Sequence, residues 1–597
     1  MKKRLLFPLS LLAIFALVGC SQNTNSTDNS GDTTDDTTEE NPGSAYDYNE
    51  PITIVDPEDI EAEETTKEFE ISTEDGTYTS NENIYTLSTA GTYSLKGKLN
   101  GQILIDAGDD DEVVLELNGA SISYDKDSPI KAINCDKLEI SAKKNTDNIV
   151  TDNRTHKGDV DDDTQGEGAI SADMDLKLKG TGTLVVTGNY NNGIHTTKDL
   201  TIQKLSVKAT GYKNALKGKD TVTITSGMVQ AYALTGNGIK TEDSDVSTKG
   251  NQRGIVTING GTVYIDSLHD AIDASYNIVI DETDSETPTE IIVKTGTNSA
   301  NYNKSTFKAD SEKGLKAANE IIINKGTISI AASDDAIHAN YGTALENNET
   351  GLGNITVNDG LIKIASGDDG LHSDNTLTVN GGKIVVTNAK EGYEGNYINI
   401  KGGYSYIYGS DDGVNCSKKS FNSCAFTMTG GYLDVAVTNG DTDGIDSNGN
   451  FTLSGGTIIT RGSPGTGGNM MSTGLDVDGT ISMTGGTLIA FNGLEKSPTA
   501  SNTVKYAGTQ TSGQSMGGNP WRRPGDNQPT SSSSISLEAG NYTLSGTDID
   551  ISFTNDYLYG SFQIYSSYLA SNATYTLSRS GSSVLSWTQS SNFVTIQ

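Results

Sequence analysis

The sequence is poor in cysteine, in proline and in basic residues. Its 597 residues include 4 Cys, 11 Pro and 42 Lys or Arg against 78 Asp or Glu, a formal net charge of −36 at pH 7. So few cysteines exclude a disulfide scaffold, although Cys416 and Cys424 are near enough in sequence to close one loop. The acidic charge argues against nucleic acid and anionic lipid as partners, because both are bound through basic patches, and it favours cations.

Familiar catalytic signatures are missing as well. No Ser/His/Asp set is evident, and no phosphate-cradling glycine loop stands out. Because the chain contains 67 Gly, matches to short glycine patterns carry no weight. An apolar run at Leu5–Val18 follows three basic residues, Lys2, Lys3 and Arg4. The run is too short and wrongly flanked for a membrane span, so we interpret it as a secretory signal.

The signal ends in Leu17-Val18-Gly19-Cys20, which resembles a bacterial lipobox. In such proteins the cysteine becomes the lipidated first residue of the mature chain, so Cys20 is the predicted lipid anchor. Cleavage of an ordinary signal nearby is the alternative. Residues 21–50 are mostly Ser, Thr, Asp, Asn and Glu and cannot bury enough apolar surface to become ordered. We predict a lipoprotein signal peptide at 1–20 and a disordered tether at 21–50, on an extracytoplasmic protein that is lipid-anchored to the bacterial cell envelope.

A repeated unit organises the rest of the chain, as in Ser366–Asn388, SGDDGLHSDNTLTVNGGKIVVTN. An acidic pair precedes a small–apolar–polar triplet, Gly370-Leu371-His372, and two alternating runs follow around a glycine pair. Equivalent triplets begin at residues 193, 215 and 238, and again at 314 and 336, about 22 residues apart. A fixed period with insertions at one place indicates stacked coils.

The local pattern predicts which kind of coil this is. Short alternating runs rich in Val, Ile and Thr indicate strands and exclude helical repeats. We predict an all-β fold: a right-handed parallel β-helix at residues 51–505, a Gly/Ser/Pro-rich connector at 506–534 and a small C-terminal β cap at 535–597. The third residue of each triplet should point outward and stack about 4.8 Å from its equivalent in the next coil. The inward column should contain Ile194, Leu216, Ile239, Ile272, Leu315, Ile337, Leu371, Tyr393, Val414, Ile445 and Leu475.

Several runs of sequence resemble a known family. They are AGTYSLKGKLNGQILIDAGDDDEVVLELNGASI at 90–122, TDNIVTD at 146–152, GTGTLVVTGNYNNGIHTTKDLTI at 180–202 and DDGLHSDNTLTVNGGKI at 368–384. Over about residues 85–495 the chain resembles the bacterial carbohydrate-binding domain-containing proteins. Their clostridial prototype is a secreted, calcium-containing parallel β-helix that binds cellulose and pectic acid and resembles polysaccharide lyases in fold. The resemblance implies calcium and a plant-type polysaccharide, although a fold does not fix a function.

Acidic residues stand in front of several triplets. Stacked like charges about 4.8 Å apart repel by ~0.9 kcal/mol per pair in water, and a bound cation would relieve this repulsion. Ca²⁺ suits such a ladder because it takes roughly six to eight oxygen ligands. The alternative is that each Asp only hydrogen-bonds the bend. The predicted Ca²⁺ ligands are Asp334, Asp335, Asp368, Asp369, Glu391, Asp411, Asp412, Asp441 and Asp443, and they are joined by Asp374, Glu394, Asp446 and Asp476.

Aromatic residues favour a binding module. Tyr404, Tyr406 and Tyr408 alternate along one strand, and Tyr432 takes the place of Tyr404 one coil later. Tyr404, Tyr406 and Tyr432 are therefore the predicted carbohydrate-binding residues, since a tyrosine ring can stack on a sugar while its hydroxyl hydrogen-bonds. The alternative is that an insertion or the C-terminal cap covers these rings. An open face would favour binding, and a covered one a structural stalk or adhesin.

The enzymatic alternative is a Ca²⁺-dependent polysaccharide lyase, which needs a cation on the uronate carboxylate and a basic side chain to abstract the proton. Lys217, Lys240 and Lys316 lie on the outward ladder, with His338 and His372 between Lys316 and the later acidic residues. The ordinary interpretation of each lysine is a solvated ladder residue, and of the histidines, ladder packing. We predict a monomeric, non-enzymatic protein that binds Ca²⁺ and a plant-type polysaccharide, either cellulose or an acidic pectin-like glycan.

Overall fold

The structure is a computed structural model, and the residues it describes belong to one compact unit, Ser44–Gln597. The predicted lipid anchor Cys20, the signal peptide, the tether, the predicted ligand Asp441 and most of the predicted connector lie outside the described residues. No helix in the described part of the chain has the length and apolar character that a membrane span requires. The described residues are 52–157, 165–283, 287–341, 352–418, 423–438, 440, 442–464, 472–499, 501, 503–509 and 536–596.

Parallel strands form nearly all of the regular structure. A strand typically pairs with the strand three positions further along the chain, as Gly168–Ala172 does with Asn192–Thr196 and Asp175–Gly180 with Asp199–Gln203. Three parallel sheets, called A, B and C, therefore run along a solenoid of stacked coils. The prediction of an all-β, mostly parallel fold is confirmed, and the one short helix among the described residues is the 3₁₀ turn Gly296–Asn298.

Sheet A contains the triplets. Its first strand, Ile84–Leu87, also pairs antiparallel with Tyr78–Asn81. The strands of sheet A are Ile84–Leu87, Gln102–Asp106, Ile130–Asn134, Gly168–Ala172, Asn192–Thr196, Leu216–Gly218, Ile239–Lys240, Ile272–Ala274, Leu315–Ala317, Ile337–Ala339, the first halves of Leu371–Val379 and Tyr393–Ile400, then Val414–Cys416, Ile445–Ser447 and Leu475–Val477.

Sheet B follows sheet A in each coil. Two long strands near the start, Gly91–Asn100 and Glu112–Tyr124, contribute their first halves to sheet B and their second halves to sheet C. The other strands of sheet B are Lys137–Ala142, Asp175–Gly180, Asp199–Gln203, Thr221–Ile224, Ile255–Ile258, Asn277–Ile280, Glu320–Ile323, Asn354–Val357, the second halves of Leu371–Val379 and Tyr393–Ile400, then Ala425–Met428, Asn450–Leu453 and Ile481–Met483.

Sheet C completes each coil, whereas Glu70–Thr73 pairs antiparallel with residues 93–96, in the sheet B half of the first long strand. The other strands of sheet C are Asp147–Asp152, Thr183–Gly188, Leu205–Gly211, Gly227–Ala233, Gly261–Ser267, Thr289–Thr295, Thr327–Ala331, Leu361–Ala365, Lys383–Asn388, Tyr404–Gly409, Tyr432–Val437, Thr457–Arg461 and Thr487–Phe491.

The core fills the space between the three sheets. Strands such as Asn354–Val357 alternate half-buried and buried residues, because successive side chains of a strand point to opposite faces. Every member of the predicted inward column is wholly buried, so that prediction is confirmed. Equivalent residues also stack on one another, as the parallel rings of Phe426 and Phe451 do with centroids 5.0 Å apart. Cys135, Cys416 and Cys424 are buried free thiols.

The C-terminal residues close the last coil and fold back over sheet C. Phe562–Ser566 pairs antiparallel with Thr487–Phe491 and with Lys505–Thr509, and Phe593–Ile596 pairs with Lys505–Thr509. A separate antiparallel sheet, called the cap sheet, has the strand order Ile549–Asn555, Gly540–Gly546, Thr574–Arg579 and Ser582–Thr588.

A buried arginine joins the solenoid to the cap sheet. Arg461 is 1% exposed, pairs with Asp434 of the same solenoid face, and donates to Asn555 Oδ1 at 2.7 Å and to the Thr554 carbonyl at 2.7 Å. The guanidinium thus satisfies a buried carboxylate on one side and the end of a cap strand on the other. Arg461 is therefore one of the contacts that fix the cap sheet on sheet C.

We expect Arg461→Ala to lower the free energy of unfolding by about 3–5 kcal/mol, because it leaves the Asp434 carboxylate buried without its partner. Calorimetric unfolding would measure the loss. Arg579→Ala is the matched control, since Arg579 pairs with Glu538 at an exposed position of the same cap and exposed pairs contribute little to stability. Equal, small effects of the two substitutions would contradict the proposed role of Arg461.

Candidate functional site

A row of acidic residues stands at the bend that leads into sheet A. Asp335, Asp369, Glu391 and Asp412 each come directly before a triplet. The register of sheet A pairs Ile337 with Leu371, and the pairing continues in step through the next two coils. The four side chains therefore occupy equivalent places in consecutive coils, on one flank of the solenoid.

One oxygen of each aspartate in this row serves the bend itself. The backbone N–H of Asp369 donates to Asp335 Oδ1 at 3.0 Å, and the N–H of Glu391 donates to Asp369 Oδ1 at 3.2 Å. In later coils the N–H of Asp443 donates to Asp412 Oδ1 at 2.8 Å. The alternative that each Asp only hydrogen-bonds the bend therefore accounts for one of its two oxygens. The second oxygen is available for other partners.

Two histidines of the triplet column meet these second oxygens. His338 Nδ1 lies 2.7 Å from Asp335 Oδ2, and His372 Nδ1 lies 3.0 Å from Asp369 Oδ2. On its other side, His372 Nε2 lies 3.2 Å from Glu394 Oε2. The two imidazole rings stack with centroids 4.1 Å apart, because sheet A pairs the two histidines directly.

A lysine occupies the other side of the same row. Lys313 Nζ lies 2.6 Å from Asp334 Oδ2 and 2.6 Å from Asp335 Oδ2. Lys313 occupies the same position in its coil as Asp335 does in the next coil. Each comes directly before a triplet, and sheet A pairs Leu315 with Ile337. The ammonium group thus sits where a cation between these carboxylates was expected.

The electrostatics follow from burial and these contacts. Burial opposes the charged form of Asp335, but the bonds to His338 and His372 and the charge of Lys313 hold its pKa well below the usual range. Burial, together with Glu391 and Glu394, raises the pKa of Asp369 to about 9. Despite burial, contacts with Asp335 and Asp369 raise the pKa of His372 to about 10.

In this part of the row the carboxylates are therefore partly compensated without a divalent ion, and Ca²⁺ binding stays a prediction. Lys313 and a protonated His372 already supply positive charge between Asp334, Asp335 and Asp369. In the sequence, Lys313 occupies a ladder position that carries an acidic residue in later coils. This change from a basic to an acidic residue at equivalent positions was the signal for the ion pair.

Not all of the predicted ligands come together. Asp334, Asp335, Asp368, Asp369 and Glu391 lie in overlapping groups whose ligand atoms are within 4.8 Å of one another, and these groups extend to His338, His372 and Glu394. Asp411, Asp412 and Asp443 follow in later coils and join none of these groups within the described part of the chain. Burial and neighbouring carboxylates raise the pKa of Asp412 to about 8.

One part of the cluster offers oxygen ligands without an imidazole. Asp368, Asp369 and Glu391 bring carboxylate oxygens within 4.8 Å of one another. Glu391 is 6% exposed, and its Oε2 is buried without a hydrogen-bond partner. The nearest ammonium in an ion pair with it, that of Lys390, lies 3.7 Å away. A buried carboxylate oxygen without a hydrogen bond is costly, and an oxygen-preferring cation such as Ca²⁺ fits this donor set.

Comparison with known proteins places the chain in a family. The model of the carbohydrate-binding domain-containing proteins matches residues 81–370, 342–441 and 370–571. The chain belongs to this family. A carbohydrate-binding domain-containing protein of Acetivibrio thermocellus is 31% identical over 201 residues, which is 33% of this chain and 68% of the relative.

A solved structure is also similar to this carbohydrate-binding domain-containing protein. It is described as the polysaccharide lyase-like protein from C. thermocellum, in a gadolinium derivative. The two are 31% identical, and the match covers 37% of this chain and 84% of the other, with a TM-score of 0.33. That score is too low to support an argument from shape.

The tyrosines expected to stack on sugars are covered. Sheet C pairs Tyr404 with Tyr432, as the repeat predicts. Tyr406 and Tyr432 are only 5% and 7% exposed and pack with cap residues such as Phe553. The Tyr432 hydroxyl donates to the Ser552 carbonyl at 3.2 Å. The expectation of an open platform of Tyr404, Tyr406 and Tyr432 is therefore corrected, because the cap sheet lies on this face.

The lysines of the outward ladder are engaged in ion pairs. Lys217 lies 2.9 Å from Glu242, Lys240 pairs with Asp273, and Lys316 Nζ is 3.1 Å from Asp270 Oδ2. Burial opposes the charge of Lys316, but Asp270 and Asp273 raise its pKa above the ordinary value. A lysine that holds its proton this firmly is poorly suited to act as the base of a lyase.

We expect His372→Gln to lower the free energy of unfolding by about 3 kcal/mol at pH 6, because it removes a cation from the buried Asp335 carboxylate. The folded pKa of about 10 exceeds the unfolded value of about 6.5. The stabilisation is therefore complete below pH 6.5 and is lost as the pH rises through about 10.

Urea unfolding at pH 6 and at pH 10.5, with chelator present, would test this dependence. His156→Gln is the control, since His156 is exposed and should change stability by less than about 0.5 kcal/mol at either pH. A difference between wild type and His372→Gln that is the same at both pH values would contradict the assigned charge.

Proposed function

We propose that this carbohydrate-binding domain-containing protein is a non-catalytic module that binds plant-type polysaccharide outside the bacterial cell. The observation that carries the proposal is family membership, because the matched segments extend from residue 81 to residue 571. Cellulose and acidic pectin-like glycans are the proposed ligands. The solenoid is proposed to be a right-handed β-helix with coils of about 22 residues, since parallel crossovers are right-handed in nearly all known cases.

We also propose a calcium site at Asp368, Asp369 and Glu391. The buried Oε2 of Glu391, which lacks a hydrogen bond, supports this choice over the neighbouring carboxylates that Lys313 already neutralises. Bound Ca²⁺ would supply positive charge between the protein carboxylates and those of an acidic sugar. The backbone N–H of Glu391 donates to Asp369 Oδ1 at 3.2 Å and so helps to hold the Asp369 carboxylate at the bend.

We propose that the protein has no lyase activity, because its candidate base is poorly suited to abstract a proton. The candidate base nearest the cluster, Lys316, has a raised pKa and pairs with Asp270. The covered tyrosines remove one argument for binding and agree with a structural stalk, the second alternative. Family membership favours binding over a stalk, and a retardation experiment separates the two.

We expect the ectodomain to be retarded in gels that contain polygalacturonate or a soluble cellulose derivative, and we expect the polygalacturonate effect to require Ca²⁺. Asp368→Asn/Glu391→Gln should weaken Ca²⁺ binding in calorimetry by at least tenfold, since even outer partners of metal ligands contribute roughly 10–100-fold. Asp109→Asn/Asp110→Asn, an exposed acidic pair elsewhere, is the control.

The possible results separate the parts of this proposal. Absence of Ca²⁺ uptake by the wild type would overturn the calcium site alone. Absence of retardation in every gel would overturn polysaccharide binding. Release of an unsaturated, ultraviolet-absorbing product from polygalacturonate would establish the lyase alternative instead.

Anchoring at Cys20 is the remaining part of the proposed function. We expect the protein to fractionate with membranes and to incorporate a labelled fatty acid, because lipidated cysteine inserts acyl chains into the bilayer. Cys20→Ser should release the protein into the soluble fraction without label, whereas Cys135→Ser should remain bound. Membrane association of Cys20→Ser would contradict the proposed anchor.

A further inference from the structure

The first described residues do not join a coil but lie along the outside of sheet C. Residues 52–66, called the strap, form no strand, and Ile60 is the one buried residue among them. The backbone N–H of Ile60 donates to Gln230 Oε1 at 2.8 Å, and further on the N–H of Thr65 donates to Ser121 Oγ at 3.1 Å. The strap therefore crosses several coils, roughly along the axis of the solenoid.

The residues beneath the strap belong to the outward face of sheet C. Sheet C pairs Lys208 with Gln230 and Gln230 with Tyr264 in successive coils. The preceding residue in two of these strands, Val207 and Val229, lies in the core, so this row points outward. A second row pairs Tyr232 with Asp266 and Asp266 with Lys294.

The strap is held to this face mainly by two carboxylates. Asp59 is bonded to Lys208 through both carboxylate oxygens, at 2.6 and 2.5 Å, and Asp56 Oδ1 lies 2.5 Å from Lys294 Nζ. The two lysines stand three strands apart in sheet C, or about 14 Å at the usual strand spacing. Two carboxylates of the strap thus lie opposite two ammonium groups of sheet C.

Hydroxyl, amide and aromatic groups lie between the two lysines. The Tyr232 hydroxyl donates to Asp59 Oδ1 at 3.3 Å, and Gln230 Nε2 donates to the Glu58 carbonyl at 2.7 Å. The rings of Tyr232 and Tyr264 lie 5.7 Å apart, and Lys208 Nζ lies 5.0 Å from the centre of the Tyr232 ring. Such a set of rings, amides and ammonium groups can bind a sugar chain that carries carboxylates.

Asp266, the acidic residue of this face, is already bonded within the protein. It is wholly buried, accepts a hydrogen bond from the backbone N–H of Ala300 at 3.0 Å, and is also bonded to the Ser299 hydroxyl. Its carboxylate is therefore bonded to the loop around Ser299. The ammonium groups of Lys208 and Lys294 give the part of the face beneath the strap its positive charge.

The strap is held weakly enough to be displaced. The side chains of Asp56 and Asp59 are 52% and 49% exposed in their ion pairs, and exposed pairs contribute little to stability. The strap also adds no strand to sheet C, so its removal would break no ladder of hydrogen bonds. A long anionic ligand could therefore take its place.

We propose that the outward face of sheet C from Lys208 to Lys294 is a binding groove for a uronate-containing polysaccharide, and that the acidic strap occupies this groove until the polysaccharide displaces it. This inference rests on the proposed function and adds the location of the site and the chemical class of the ligand. The strap acts as a tethered competitor, so its own affinity for the groove lowers the apparent affinity for the glycan.

The test compares binding of polygalacturonate by the intact ectodomain and its variants at one saturating Ca²⁺ concentration, so that the proposed calcium site contributes equally to every variant. Asp56→Asn/Asp59→Asn weakens the competitor and should tighten binding about threefold to tenfold. Lys208→Ala/Lys294→Ala should weaken binding about tenfold. Glu116→Gln/Glu139→Gln, which removes two lysine partners from sheet B, should leave the affinity unchanged.

Hydrogen exchange gives a second measurement that does not depend on the variants. Polygalacturonate should accelerate exchange at the amide of Ile60, which Gln230 protects in the closed state. Unchanged affinity of Asp56→Asn/Asp59→Asn, with unchanged exchange at Ile60 while the wild type still binds, would overturn the groove and leave the proposed function standing. Displacement of the strap by a neutral cellulose derivative but not by polygalacturonate would overturn the acidic ligand class. Absence of binding to any polysaccharide would overturn both proposals.

Discussion

In-register stacking of parallel coils is the constraint on which the rest of this structure depends. Because each strand pairs with its equivalent in the next coil, each residue lies about 4.8 Å from the residue at the equivalent position of that coil. Apolar positions profit from this arrangement, and the inward column is wholly buried from Ile194 to Leu475. Charged positions are destabilised by it, since like charges then lie in rows and repel one another. Each row therefore needs opposite charges or hydrogen-bond donors nearby.

The acidic row before sheet A shows how this compensation is achieved. One oxygen of Asp335 and of Asp369 accepts a backbone N–H of the next coil, so these carboxylates are part of the bend. Their second oxygens meet His338, His372 or Lys313. In the described part of this row, Glu391 Oε2 is buried without a hydrogen bond, and the proposed calcium ion would compensate its charge there.

The outward face of sheet C poses a different problem, because its rows include tyrosine, lysine and aliphatic side chains. Two segments outside the repeat cover this face: the strap at Tyr232 and Tyr264, and the cap sheet at Tyr406 and Tyr432. The same outward row passes between them through Lys363, which is exposed. The cap is held by the buried Arg461, whereas the strap is held by half-exposed ion pairs, so the two covers differ in how readily they can open.

The sequence by itself determined the repeat, the strands, the inward column and the alignment of Asp335, Asp369 and Asp412, because all of these follow from a local pattern with a fixed period. Only the tertiary structure decided which charges face each other and which surfaces are covered. Asp59 pairs with Lys208, and residues 52–66 and 549–555 return to faces formed by distant parts of the chain. Such contacts depend on where long connections return, and no periodic pattern specifies that.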